Sequence, residues 1–141
     1  MKLSEFDFRV WDKDEKCFLD PYTKSRAVVK NLPNEKLLNL EIELFTGLYD
    51  KNGNKIYEND IISYKTLKGK TLFYFITTNK NINILQIFVI SDLENFKLCN
   101  EIDISFLFFD LSNLEYFKLN SEVIGNIHNR EDISKMIKEK Q

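Results

Sequence analysis

The feature that most constrains the fold is a strict alternation of apolar and polar residues around position 40. The apolar members are Leu38, Leu40, Ile42 and Leu44, and the polar residues between them are Asn39, Glu41 and Glu43. Because successive side chains of a β-strand point to opposite faces, this spacing predicts a half-buried strand. Asn52-Gly53 follows between apolar flanks, and both residues tolerate positive φ, so a tight hairpin turn is predicted there.

Strand patterns recur along most of the chain. An N-terminal hairpin is predicted from the alternation over 6–10 and the apolar residues at 17–19. A meander is predicted from strands at 60–64, 71–77 and 82–91, and a last strand at 122–127. The apolar run 104–111 also indicates a buried strand. The sequence therefore predicts a mostly β fold (β-rich α+β), with an N-terminal hairpin, a meander or small barrel, and a short C-terminal helix.

Helices are predicted at few places. Ser91-Asp92-Leu93-Glu94 and Ser112-Asn113-Leu114-Glu115 both have capping-box spacing, which favours short helices. Asn129 predicts the N-cap of a terminal helix that carries Ile133, Met136 and Ile137 on one face. The polar stretch between Pro21 and Pro33 is predicted to be a loop.

Size and charge exclude several classes of protein. With 141 residues, the chain is too short for two large domains, and its 43% hydrophobic content suffices for one core. A formal net charge of −2 leaves no global attraction to nucleic acid or to an anionic membrane. No signal peptide is recognised, and the apolar runs are too short to cross a bilayer. We expect a cytoplasmic protein with Cys17 and Cys99 as reduced thiols in its core, although one disulfide between them stays open.

Three blocks resemble the YopX family of bacteriophage and prophage proteins. Phe8-Arg9-Val10-Trp11-Asp12 resembles the family's opening Phe-Arg-x-Trp-Asp, and Glu122-Val123-Ile124-Gly125-Asn126-Ile127 resembles its Val-Ile-Gly-Asn-Ile ending. The central stretch, residues 45–62, resembles the family's Tyr-Thr-Gly-Leu-x-Asp-x-x-Gly-x-x-Ile-Tyr-Glu-Gly-Asp-Ile. The matching residues, which we expect to be structural, are Trp11, Thr46, Gly47, Asp50, Asn52, Gly53, Ile56, Tyr57, Asp60, Gly125 and Asn126.

The sequence departs from the family pattern at several positions, and the resemblance implies a source and a fold. Asn59 stands in place of glycine, His128 in place of tyrosine and Arg130 in place of proline, and 65–120 carries no family landmark. The resemblance implies a phage-encoded, mostly β protein, with an SH3-like barrel around Asp60-Ile61-Ile62 and frequent self-association, and it implies no activity. We expect one domain over 1–141, with an N-terminal hairpin subdomain over 1–34 and a member-specific segment over 65–120.

Catalytic and metal-binding patterns are weak. His128 is the only histidine, and neither Cys17 nor Cys99 has a setting that clearly lowers its pKa, which disfavours thiol catalysis and zinc. Asp50-x-Asn52-x-Asn54 begins like a calcium loop, but Lys55 and Ile61 occupy the positions that require glycine and glutamate. Four glycines leave no phosphate-binding loop. We expect no enzyme activity, no cofactor and no metal.

Local charge suggests two binding hypotheses within the member-specific segment. A basic, aromatic stretch offers Lys65, Lys68, Lys70, Tyr64 and Tyr74 as candidate contacts for single-stranded nucleic acid. An acidic stretch offers candidate protein contacts at Asp92, Glu94, Glu101, Asp103 and Asp110. The first hypothesis is a non-catalytic phage accessory protein that binds a host or defence-system protein as a counter-defence inhibitor of the anti-CRISPR type. A nucleic-acid-binding β-barrel is the alternative, and no membrane partner is expected.

Overall fold

The structure is a computed structural model that describes residues 2–82, 84–103 and 111–140. The chain forms two compact units, Met1–Phe45 and Thr46–Gln141. The predicted mostly β fold is confirmed, with antiparallel sheets and a short C-terminal helix. The predicted apolar strand at 104–111 falls almost wholly on residues outside the described part, and the one-domain prediction with a subdomain over 1–34 stays a prediction.

The first unit contains a small antiparallel sheet and two short helices. Strand β1 (Phe8–Asp12) pairs with β2 (Cys17–Phe18) in the predicted N-terminal hairpin, and on its other edge with the first half of β3 (Leu40–Tyr49). Helix α1 covers Pro21–Val28 and α2 covers Asn34–Leu38. A 3-10 turn, Leu3–Glu5, precedes β1.

The loop predicted between Pro21 and Pro33 is wrong, because α1 occupies most of it. The Asp20 carboxylate caps the helix by accepting a hydrogen bond from the Thr23 backbone N–H at 3.0 Å. Pro21 takes a first-turn position, where the N–H that proline lacks has no intrahelical partner in any case. The proline that indicated a loop therefore starts a helix.

The apolar face of β3 is not the buried one, which corrects the prediction of a half-buried Leu38–Leu44 strand. Leu38 ends α2, and Ile42 is 62% exposed and Leu44 41% exposed. Glu43 is only 1% exposed, and its Oε2 accepts a hydrogen bond from Arg9 Nε at 2.7 Å. Register places Arg9 opposite Glu43, so the cation on β1 offsets the cost of burying this carboxylate.

The second unit is built on a five-stranded antiparallel half-barrel in the order β8-β7-β6-β5-β9. Its strands are β5 (Asp60–Lys65), β6 (Thr71–Asn79), β7 (Ile84–Asp92), β8 (Lys97–Ile102) and β9 (Ser121–Asn126), preceded by β4 (Lys55–Tyr57). Helix α3 (Leu111–Asn120) and the C-terminal helix α4 (Arg130–Glu139) complete it, with a 3-10 turn at Ile127–Asn129. The predicted meander and the helix predicted at Ser112–Glu115 are confirmed.

One local prediction in this unit is wrong, and a second is confirmed only in part. Residues 91–98 form a hairpin instead of a helix, because Asp92 Oδ1 accepts the Asn95 backbone N–H at 3.0 Å and closes a turn into β8. Asn129 is the N-cap residue of α4, as predicted, but its side chain makes no capping hydrogen bond to the helix. Its Oδ1 instead accepts the Asn126 backbone N–H at 2.8 Å, and Asn126 Oδ1 accepts from His128.

Both faces of the half-barrel are packed. Ile62 and Ile76 lie in one buried cluster with Phe117 of α3. Ile61 and Phe75 lie in a second buried cluster with Ile133 of α4. The two-residue period of β5 and β6 thus sends neighbouring side chains into different clusters. No helix among the described residues is long and apolar enough to cross a membrane.

Candidate protein-binding surface

The Asp50 carboxylate organises the β3–β4 turn and is fully buried. Its Oδ1 accepts the backbone N–H groups of Asn52 and Asn54, each at 2.9 Å. Its Oδ2 accepts from Asn54 Nδ2 at 3.2 Å and from the Val123 backbone N–H at 3.0 Å. Gly53 supplies the positive φ, +79°, that the turn requires. Every donor to Asp50 here is a turn or strand group, so this motif stabilises the fold.

The remainder of the central motif has similar structural roles. Thr46 Oγ1 donates to the Ile56 carbonyl at 2.7 Å, and Ile56 itself is completely buried. Buried Asp60 accepts the Tyr57 backbone N–H at 2.8 Å. Asn59 adopts φ +67°, which explains how it can replace glycine at this position.

The remaining family residues lie at packing and turn positions. The ring of Trp11 meets Phe18 edge-on, with centroids 5.0 Å apart, and braces the N-terminal hairpin. A Cβ on Gly125 would lie 2.4 Å from Ile133 Cδ1, so glycine lets α4 approach β9 closely. Gly47 has φ +84° and open space around it. These contacts agree with a structural role for the family motif.

The acidic candidates do not form one surface patch. Asp92 and Glu94 lie at the β7–β8 turn, where Asp92 binds Asn95 and Glu94 Oε2 is 2.6 Å from Lys138 Nζ. Glu101 and Asp103 lie at the other end of β8, about 17 Å of extended strand away. Asp110 lies outside the described residues.

The basic candidates occupy the β5–β6 hairpin. Lys65, Lys68 and Lys70 are exposed there, so their ammonium groups are accessible to phosphate. Tyr74 is only 7% exposed and stacks on Tyr64 with centroids 5.3 Å apart. Burial raises the pKa of Tyr74 to about 12. The aromatic rings of this hairpin thus pack into the protein, whereas its lysines face water.

The thiols lie on the surface, which corrects the expectation of small core residues. Cys17 and Cys99 are both free and exposed, and Cys99 Sγ contacts the Val89 carbonyl at 3.4 Å. His128 lies just after β9, in the 3-10 turn. Within the described part of the chain, no three His, Cys, Asp or Glu residues are grouped so that they could hold a metal ion.

The first unit carries an apolar surface that the sequence reasoning missed. Phe8, Val10, Leu40, Ile42 and Leu44 share one face of the β1–β3 pair by register. Neither α1 nor α2, both fully described, contains a buried residue, so the two helices cover this face incompletely. Exposed apolar side chains remain on the unit at Val28, Val29, Leu38, Ile42 and Leu44.

A groove of about 130 Å³ opens between the helices and this sheet face. Val10 forms its buried floor, while Ile42 lies exposed at its edge. All seven side chains that line it are apolar, and they belong to Phe8, Val10, Ala27, Val28, Leu37, Leu40 and Ile42. We call this feature the α1–α2 groove.

Two lysines attach the helices to the sheet beside the groove. Lys24 of α1 donates to the Phe8 carbonyl at 2.7 Å and lies 3.2 Å from Asp7 Oδ1. Lys36 of α2 pairs with the buried Asp12 carboxylate, which also accepts the Asp14 and Glu15 backbone N–H groups. Polar contacts outside the apolar lining therefore hold the helices in place.

The alternation at Leu38–Leu44 was the available signal for this surface. It correctly groups Ile42 and Leu44 on one face, but alternation alone does not say whether an apolar face is covered by the chain itself. The alternation does not show that two short helices pack here, or that neither has an apolar stripe long enough to cover the apolar face.

Comparison with known proteins gives a family and a fold. The family profile described as YopX protein matches residues 7–132. The crystal structure of protein EF1440 from Enterococcus faecalis is similar, with a TM-score of 0.50 and 23% sequence identity over 91% of this chain and 97% of that chain. At this identity the similarity shows the fold alone. No curated protein matches the chain.

Proposed function

Because this chain belongs to the YopX family, we propose that it is a phage accessory protein that acts by binding another protein and catalyses no reaction. The buried polar residues of the family motif support this proposal, since Asp50 and Asp60 serve turns and strand ends. The features that these structural roles leave for a function are exposed side chains, and exposed side chains favour surface binding.

The observation that carries the proposal is the exposed apolar face of the first unit. Ile42 and Leu44 stand on a strand beside the open α1–α2 groove, with Val28 exposed on the neighbouring helix. Contiguous exposed apolar side chains are typical of protein interaction sites. Covering them gains about 25 cal/mol for each Å² of apolar area removed from water.

A narrower form of the proposal names the partner as a host nuclease complex of the CRISPR type. The phage association that the family implies supports this form, as does the exposed carboxylate of Glu101, whose negative charge is complementary to the positive charge of a nucleic-acid groove. Glu94 contributes less to such a contact, because its carboxylate is already paired with Lys138.

The alternative partner is single-stranded nucleic acid. Exposed Lys65, Lys68 and Lys70 support phosphate contacts. The burial of Tyr74 removes one ring on which a base would stack, so we favour the protein partner.

Capture of a partner with matched variants tests the proposal. Ile42→Gln removes an exposed isoleucine from the apolar surface, and Ile84→Gln removes a 49% exposed isoleucine from β7 as the control. We expect wild type and Ile84→Gln to capture the same stoichiometric protein from host lysate. The purified partner should then bind Ile42→Gln about tenfold more weakly or worse, as burial of such a side chain predicts. Failure to recover a stoichiometric partner, or equal binding by all three proteins, would contradict the proposal.

Two further assays separate the narrower form from the alternative. Expression of the protein should restore plaque formation by a phage that a CRISPR-armed host targets, and Ile42→Gln should not. Unchanged plating with wild type rejects the counter-defence role. Fluorescence anisotropy with single-stranded DNA at low salt tests the alternative, which requires binding that weakens steeply with salt and is lost when Lys65, Lys68 and Lys70 become glutamate.

A further inference from the structure

We propose that the α1–α2 groove is an anchor pocket for one apolar side chain of an acidic peptide segment in the partner. This inference rests on the proposed protein-binding function and specifies the chemistry that the partner presents. It follows from the volume of the groove, from its lining and from the charges beside it.

The volume of the groove fits one side chain. The space measures about 130 Å³. An apolar cavity of about 150 Å³ in another protein stays dry and binds benzene, so this groove matches one Phe or Leu side chain. An entire helix or strand would not fit within it.

The lining selects an apolar group. The walls come from Phe8 and Ile42 on the strands and from Ala27 and Leu37 on the helices, and none of these side chains carries a hydrogen-bonding group. A polar side chain placed there would give up hydrogen bonds to water and meet mainly apolar surface, whereas an apolar one would gain by leaving water.

The charges beside the groove select an acidic peptide. Over 21–38, the charged residues are Lys24, Arg26, Lys30, Glu35 and Lys36, four cationic and one acidic. Lys24 and Lys36 are already paired with Asp7 and Asp12.

Two cations remain for a partner. Arg26 flanks Ala27 of the lining and donates to the Asn31 carbonyl at 3.1 Å, and exposed Lys30 follows two positions after Val28. Neither forms a salt bridge within the described residues. Exposed Glu35 of α2 offsets one of these two charges, so a small net positive charge remains beside the groove. Carboxylates on either side of a bound anchor would meet this charge, which favours an acidic sequence and speeds its association.

Three synthetic peptides test the inference on the full-length protein. The first is a twelve-residue acidic peptide with one central Phe, the second replaces that Phe with Ala, and the third replaces every acidic residue with Lys. We expect the first peptide to shift the NMR signals of Ala27, Val28 and Ile42 saturably. The Ala peptide should bind about tenfold more weakly or worse, since burial of the ring supplies most of the gain. The Lys peptide should also bind more weakly, by an amount that falls as salt is added.

Variants identify the groove as the binding site. Ala27→Leu fills the groove from within α1 and should abolish binding of the Phe peptide, and Val28→Gln is the second variant if Ala27→Leu fails to fold. Lys30→Glu should weaken binding, whereas Lys16→Glu should not. Lys16 is a matched control because it is also exposed and has φ +52°, against +55° for Lys30.

The outcomes separate this inference from the proposed function. A captured partner that is lost with Ile42→Gln but retained with Ala27→Leu would keep the proposed function and overturn the anchor pocket. Equal binding of the acidic and basic peptides, or the absence of saturable shifts, would also overturn it. Sedimentation that shows a dimer dissociated by Ala27→Leu would assign the groove to a second copy of this chain instead.

Discussion

The carboxylate of Asp50 accepts a hydrogen bond from the backbone N–H of Val123 at 3.0 Å, which joins two points 73 positions apart in the sequence. The same carboxylate holds Asn52 and Asn54 in the β3–β4 turn. One buried side chain therefore sets a local turn and attaches that turn to the last strand of the half-barrel. The central block and the C-terminal block of the family motif meet at this residue.

Replacement of Asp50 should destabilise the second unit strongly. Asp50→Ala leaves the backbone N–H groups of Asn52, Asn54 and Val123 without their acceptor. We expect the free energy of unfolding to fall by about 2–4 kcal/mol, measured by urea denaturation. Glu139→Ala, at an exposed glutamate in the last turn of α4, should change it by less than about 0.5 kcal/mol. Equal effects of the two changes would show that the hydrogen bonds of Asp50 contribute little.

The same carboxylate should make stability depend on acid pH. Burial alone would raise the pKa of Asp50, but hydrogen bonds from Val123, Asn54 and Asn52 outweigh it and hold this pKa below the usual 3.8. A carboxyl whose pKa is lower in the folded state stabilises the protein above pH 3.8 and loses that contribution as the pH falls through the folded value. Urea denaturation between pH 7 and pH 2 should therefore show falling stability below about pH 4. The decline should be shallower in Asp50→Asn, and an identical pH profile would contradict this assignment.

Local chemistry made much of the fold predictable. Gly53 of the predicted Asn52-Gly53 turn supplies the positive φ between β3 and β4, and Asn59, which stands in place of glycine, also has positive φ. The errors arose where one local signal fits two structures. Asp92 has the spacing of a helix cap and instead closes a hairpin, and Pro21 starts a helix instead of marking a loop.

The candidate surface depended on information that no local pattern holds. Burial of Glu43 requires Arg9 directly across the sheet, and Arg9 lies 34 positions away in the sequence. Ile42 is exposed because it lies on the face of β3 opposite the buried Glu43, and because the two helices above that face are small. The sequence indicated which side chains share a face, and only packing decides which face water reaches.

The pairing of Asp12 with Lys36 should control the ionisation of Asp12. The hydrogen bond from Lys36 is the main cause that lowers the pKa of Asp12, against the effect of burial and together with the Glu15 and Asp14 N–H groups. Lys36→Met should raise the pKa of Asp12, which carboxyl ¹³C NMR titration measures directly. Lys13→Met removes the half-exposed partner of Glu41 and should leave the pKa of Asp12 unchanged. A pKa of Asp12 that does not move in Lys36→Met would assign its low value to the backbone donors instead.

Two glycines with positive φ should respond differently to an added methyl group. Gly125 has φ +154°, and a Cβ there would meet Ile133 Cδ1 at 2.4 Å and Asn129 Oδ1 at 2.7 Å. Gly69, in the β5–β6 turn, has φ +78° and open space around it. Gly69→Ala should therefore cost only the backbone strain, about 1–2 kcal/mol. Gly125→Ala should cost about 1–3 kcal/mol more, because α4 must move away from β9. Thermal unfolding measures both, and Ile133→Ala should recover part of the loss in Gly125→Ala although the same change alone destabilises the protein. Absence of that recovery would show that Ile133 does not limit how closely α4 approaches β9.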